Sequence, residues 1–202
     1  MNTLRTRFFN LTLAIILCIV CSAPAFAKTW YVEKWGIDLA SCGSRNAPCG
    51  TVSEALSKAG KNDRIVVGPG TYGGNMLISS DNLSGIKLYS SSGRYGTAFL
   101  SANAVPILTV TQPNVRIGAR GKGFTFRPAG STTQSISSST GSAHRIRIES
   151  NHFDGGNYGV FIAGEKVQIR NNTFAGVSAR SISCNECPRG LIRGNLITHA
   201  PT

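Results

Sequence analysis

The side chains of this chain best suited to chemistry are cations, and they recur at matched places. Lys87, Arg116 and Arg147 each stand just before a buried-type aliphatic, while Arg170 and Arg193 stand just after one; Tyr89 and Glu149 hold the same following position. A row of ammonium and guanidinium groups holds anions, and most firmly a polymer that spaces carboxylates or sulfates along its length. The same row is a poor proton-abstracting set, because an exposed Arg keeps its proton. His144 and His152 flank the third of these places, at Arg147, and are the nearby groups that titrate near neutrality. No adjacent aspartate pair occurs, and Glu149 is the one carboxylate of the strip, so paired-carboxylate hydrolysis and oxygen-ligated calcium both lack their residues.

The elements that position these cations follow from a repeat. Ile148-Glu149-Ser150-Asn151-His152-Phe153 is echoed by Ile169-Arg170-Asn171-Asn172-Thr173-Phe174 and by Ile192-Arg193-Gly194-Asn195-Leu196-Ile197, at offsets of 21 and 23 residues. A period in the low twenties marks a solenoid whose coils bury their apolar faces only by stacking on one another. Val67, Leu88 and Ile117 extend the aliphatic series upstream. Strand alternation turns the residues on either side of each aliphatic outward, so Lys87, Arg116, Arg147, Arg170 and Arg193 share one face with Tyr89 and Glu149. Asn151, Asn172 and Asn195 are expected to form a hydrogen-bonded ladder, and to support turns through the tolerance of Asn for left-handed backbone. Phe153, Phe174 and Ile197 are core.

Ahead of the coils, residues 28–64 read as a cap. Trp30-Tyr31-Val32 is a strand, and residues 51–59 carry the one good amphipathic helix, with Thr51 and Glu54 as a capping box and Val52, Ala55, Leu56 and Ala59 as its stripe. The Ser/Thr/Gly tract at 131–142 reads as a loop projecting from the rod. The coils occupy 65–202. The last one ends with little beyond Ile197, which predicts an open coil, truncated from a longer β-helix and able to pair with itself.

Residues 1–27 have the form of a secretory signal: Arg5 and Arg7, an apolar stretch over 11–20, then Ala25-Phe26-Ala27. Its removal predicts a secreted or periplasmic protein with no transmembrane segment. The full chain carries 21 Lys and Arg against 9 Asp and Glu. Loss of the signal leaves 19 against 9, a formal +10. Cys42, Cys49, Cys184 and Cys187 remain, and pairing each with its local neighbour is the simplest arrangement in an oxidising compartment. No second Cys or His pair lies close enough in sequence to complete a zinc site around Cys184 and Cys187, so no metal is expected.

Taken together, the helix at 51–59, the strand and turn Ile65-Val66-Val67-Gly68-Pro69-Gly70-Thr71-Tyr72 and the Ile-x-x-Asn-x-Phe coils resemble the right-handed parallel β-helix proteins of the pectin-lyase-like superfamily. The resemblance implies an all-β solenoid with an N-terminal capping helix. Lyases of that family act on acidic polysaccharide by β-elimination, with Arg or Lys as base and calcium on the carboxylate. Calcium enters on the resemblance alone, and no other cofactor is evident. Two functions follow. One is a secreted β-helix that binds or modifies an acidic polysaccharide, or another polyanion, along the basic strip, with no specific nucleic acid indicated. The other is a non-catalytic surface protein presenting loops such as 131–142.

Overall fold

The computed structural model describes residues 26–101, 105–130, 133–138 and 143–198. The signal segment expected at 1–27 lies almost wholly outside them, as do His199 and the ends of the 131–142 tract. Among the described residues, eighteen short strands wind into three parallel sheets. The first sheet has seven strands in the order β1 (Thr29–Val32), β2 (Arg64–Val67), β5 (Lys87–Ser90), β8 (Arg116–Ile117), β11 (Arg147–Glu149), β14 (Gln168–Arg170) and β17 (Leu191–Arg193). The second has six: β3 (Gly70–Gly73), β6 (Thr97–Leu100), β9 (Thr125–Arg127), β12 (His152–Asp154), β15 (Thr173–Ala175) and β18 (Leu196–Thr198). The third has five: β4 (Met76–Ile78), β7 (Leu108–Val110), β10 (Gln134–Ser137), β13 (Tyr158–Ala163) and β16 (Arg180–Asn185). Each of the five coils from β2 to β16 contributes one strand to every sheet. The chain is a parallel β-helix.

Register makes the core a set of like-on-like columns. Trp30, Ile65, Leu88, Ile117, Ile148 and Ile169 are successive buried partners in the first sheet, continued by Ile192. In the second, Tyr72, Phe99, Phe126, Phe153 and Phe174 are, continued by Ile197. Ile192 and Ile197 keep the register but are exposed, so Ile197 is not core as the sequence suggested. The rings of Phe126 and Phe153 are stacked 5.2 Å apart, and those of Phe153 and Phe174 4.6 Å apart. Aromatic pairs at this separation add to the stabilisation from area burial.

Between the first two sheets the chain bends through a short turn that the asparagines bind together. Asn151 Nδ2 donates to Ile117 O at 3.0 Å, Asn172 Nδ2 to Ile148 O at 3.0 Å, and Asn195 Nδ2 to Ile169 O at 2.9 Å. Asn172 Oδ1 accepts the Asn151 backbone N–H at 2.9 Å, and Asn195 Oδ1 accepts that of Asn172 at 3.0 Å. Each amide thus supplies the partners that the bend takes from the sheet, inside a core where Asn151 and Asn172 are buried. The left-handed residues of the turn are not the asparagines of the ladder but the residues before them: Ser150 (φ 60), Asn171 (φ 55) and Gly194 (φ 66).

Three expectations need correcting. The partner of Leu88 is Ile65, while Val67 faces Ser90. Ile65 and Val67 both point inward, and hydrophobicity cannot choose between two residues on the same face. The tract at 131–142 is not wholly a projecting loop, because Gln134–Ser137 is strand β10, with Ile136 between Leu108 and Val160. Its serines hide the strand: Ser135, Ser137 and Ser138 are buried. The helix α1 (Val52–Lys58) starts as read, with Thr51 Oγ1 accepting the Glu54 N–H at 3.1 Å. The return bond of the capping box is absent. Glu54 pairs with Lys58, and Asp38 accepts from the Gly50 and Thr51 N–H groups and the Thr51 hydroxyl.

Helix α1 packs Val52, Ala55 and Leu56 inward against β1, β2 and β4. Two disulfides, Cys42–Cys49 and Cys184–Cys187, link the pairs that are local in sequence. The second closes on the core side of the rod, where Cys184 partners Ile162.

Asn172→Ala strands the Ile148 carbonyl and the Asn151 N–H inside the turn. Unpaired buried groups cost about 1–3 kcal/mol each, so a loss of roughly 3 kcal/mol is expected, read as a lower urea midpoint at unchanged slope. A loss below about 1 kcal/mol would mean that water replaces the amide.

Candidate functional site

The outer face of the seven-stranded sheet gathers the charge. Register sets Arg64, Lys87, Arg116, Arg147, Gln168 and Leu191 in one outward column. Glu149, Arg170 and Arg193 form a second column on the other side of the inward aliphatics, with Val66 and Tyr89 at its upstream end. The sequence had shown five of these cations; Arg64 was missed because the Val67 register hid its partnership with Lys87.

A cleft of about 470 Å³ opens on this face, lined by Lys87, Asn114, Arg116, Arg145, Arg147, Lys166, Gln168 and Arg189. Arg145, Lys166 and Arg189 come from the turn that leads into the strands, and no strand pattern pointed to them. A smaller hollow of about 200 Å³ lies against Arg170, Asn171, Leu191 and Arg193. Every residue lining the larger cleft offers hydrogen-bond donors. Asn114 and Gln168 are the ones that can also accept.

Glu149 is nearly buried and its Oε2 lies 3.0 Å from Arg116 Nη2 and 3.4 Å from Arg170 Nη2. It therefore ties the two outward columns together across coils. The Nε–H groups of both arginines are buried without a hydrogen-bond partner. Glu165 sits at the edge of the cleft with Lys166 at 3.0 Å and Arg189 at 3.4 Å. The hydrogen bond from Lys166 and its charge hold the Glu165 carboxyl below its usual pKa. Tyr89 does not form an open stacking platform. Its ring is buried, with Arg64, Arg116 and Lys122 over it at 5.8, 5.9 and 5.9 Å.

The two histidines do not converge on the cleft. His144 Nδ1 accepts the Glu165 N–H at 3.1 Å. His152 lies on the second sheet, its ring 5.7 Å from that of Tyr95. Burial lowers its pKa, and Arg94 and Arg127 push the same way against Asp154. Among the described residues the one grouping of possible metal ligands is Asp38, Cys42 and Cys49, and its two sulfurs are bonded to each other. No helix among the described residues is long and apolar enough to cross a membrane.

No protein-family model and no curated protein matches the chain. A solved structure does: a rhamnogalacturonan lyase, with a TM-score of 0.63 and 15% identity over 85% of this chain. The two chains share a parallel β-helix fold. The match covers 51% of the lyase, so this chain spans about half its length.

Two substitutions check the electrostatics. Glu149→Gln leaves Arg116 and Arg170 facing each other without their shared carboxylate. A loss of about 1–2 kcal/mol is expected in low salt, shrinking as salt screens the cations; a loss that is the same at all salt concentrations would assign Glu149 a packing role. For His152 the folded pKa is the lower one, so the unfolded chain binds the proton more readily. Its contribution is intact above the unfolded value of about 6.5 and is lost as pH falls through the folded value. Replacing His152 by Asn should flatten that part of the stability–pH curve.

Proposed function

We propose that this protein binds an acidic polysaccharide along the outer face of its seven-stranded sheet, outside the cytoplasm. The observation that carries this reading is the unbroken column Arg64, Lys87, Arg116 and Arg147, one cation per coil. Coils are spaced by about 4.8 Å. Like charges held in register on neighbouring strands repel, more strongly near a protein surface than in open water. Glu149 offsets part of this for Arg116 only. A linear polyanion lying along the column would offset the rest, so the fold's own strain favours that ligand.

The nature of the polymer is supported from two sides. The fold is shared with a lyase whose name gives an acidic polysaccharide as its substrate. Both disulfides suit an oxidising compartment, in keeping with the signal-like leader. The lining of the cleft favours holding the polymer rather than cutting it, since it consists of cationic and amide side chains, with no carboxylate or histidine among the residues that line it.

Retention on immobilised polygalacturonate and heparin in a sodium chloride series tests the proposal. Binding at low salt should weaken linearly in log–log form as salt rises, and Arg116→Gln with Arg147→Gln should reduce both the affinity and that slope. Absence of binding at low salt, or binding indifferent to salt, would overturn it.

A further inference from the structure

The turn that feeds the seven-stranded sheet places a left-handed residue two positions before the strand in six successive coils. Its residues at 62, 85, 114, 145, 166 and 189 all have positive φ, between 56° and 76°. The conformation is enforced by the stack. Asn62 N–H donates to Ser84 O, Gly85 to Pro113, Asn114 to His144, Arg145 to Glu165 and Lys166 to Pro188, each at 2.8–3.0 Å. In such a slot Gly and Asn are at ease and long side chains are not. The first three coils use Asn62, Gly85 and Asn114. The next three use Arg145, Lys166 and Arg189, at φ 56°, 58° and 57°. Three successive long cations in a slot that disfavours them mark a role other than folding.

Ion pairing does not supply that role. Lys166 and Arg189 share Glu165, but those groups are well exposed and such pairs contribute little. Arg145 has no ion-pair partner among the described residues. Solvation alone could be met at any outward strand position without the strained backbone.

Their location does supply one. All three line the cleft that also holds Lys87, Arg116 and Arg147. Arg145 enters beside Arg147; in the next two coils, where Lys166 and Arg189 follow it, the central column turns neutral, at Gln168 and Leu191, and the far column becomes Arg170 and Arg193. Along the first coils the positive charge is a single central row. Along the last two it divides into two rows with an uncharged floor between them. The less polar face of a pyranose ring suits an uncharged floor, and anionic groups at its rim would face the cations on either side.

We propose that Arg145, Lys166 and Arg189 are a second row of ligand contacts, and that the ligand is a polysaccharide carrying anionic groups along both edges of its chain. This rests on the polyanion reading above. In the full chain, the triple variant Arg145→Asn, Lys166→Asn, Arg189→Asn is expected to unfold at a higher temperature, since Asn suits the slot. It should also bind heparin roughly tenfold more weakly at low salt, the sum of three modest contacts, with a shallower salt slope. The loss should be smaller for a partly esterified polygalacturonate, which has fewer charges to lose. Arg180→Asn, which removes an exposed cation from the five-stranded sheet, should change neither property. A triple variant that is more stable yet binds heparin as the parent does would overturn the second row and leave the strip reading standing. A triple variant that is less stable would overturn the argument from the backbone. A loss of affinity per charge equal to that of Arg180→Asn would reduce the effect to net charge and overturn the placement. A parent protein that binds neither polymer would bring down both readings.

Discussion

Parallel strands stacked in register oblige every side chain to meet its own counterpart one coil above and one below. Everything else in this rod follows from that obligation. Facing inward, it is an advantage: Phe153 lies flat between Phe126 and Phe174, and Ile148 between Ile117 and Ile169. In the bend it is an advantage again, because an amide both donates and accepts, so Asn172 accepts from Asn151 in one coil and donates to Asn195 in the next. Facing outward, the same rule puts Lys87, Arg116 and Arg147 in line, and there it costs stability. A site made in this way is not assembled from distant residues. It is the outer side of the same alternation that makes the core.

The start of the rod shows how such a stack begins. Strand β1 pairs with β2 but has no companion in the other two sheets. Its coil is completed by the Cys42–Cys49 loop and α1. Asp63 fixes the join, accepting from Trp30 Nε1 at 2.8 Å, from the Lys28 N–H and from the Gly60 N–H. Asp38 does similar work at the helix start. Two buried or capped carboxylates out of so few in the chain are used for architecture, which leaves the outer face of the sheet still more positive.

Where the coil is short, the sequence could be read almost residue by residue. Ile148, Ile169 and Ile192 sit at offsets of 21 and 23, and their Asn and Phe companions keep the phase. Legibility fails where turns lengthen or polar residues go inside. Between Lys87 and Arg116 the coil takes 29 residues and holds β6 and β7; the next holds β9 and β10, whose Ser135 and Ser138 are buried where an aliphatic would have announced a strand. The candidate site was half legible for a related reason. Strand cations follow from a period of two, but Arg145, Lys166 and Arg189 share a turn, and only the backbone angles place them in one line. The histidines failed differently: proximity in sequence to Arg147 said nothing about a bend that sends His152 to another sheet.

The unequal lengths of the coils have a further meaning. From Lys87 the successive steps along the central column are 29, 31, 21 and 23 residues, yet the column does not shift. Added residues are taken up in turns, and the strand returns to the same place. Each coil can therefore lengthen in its turns without moving the strands of its neighbours, and its one or two outward residues differ from coil to coil on a fixed frame. The face reads as a message printed one line per coil, and a ligand as long as the rod would read all of the lines at once.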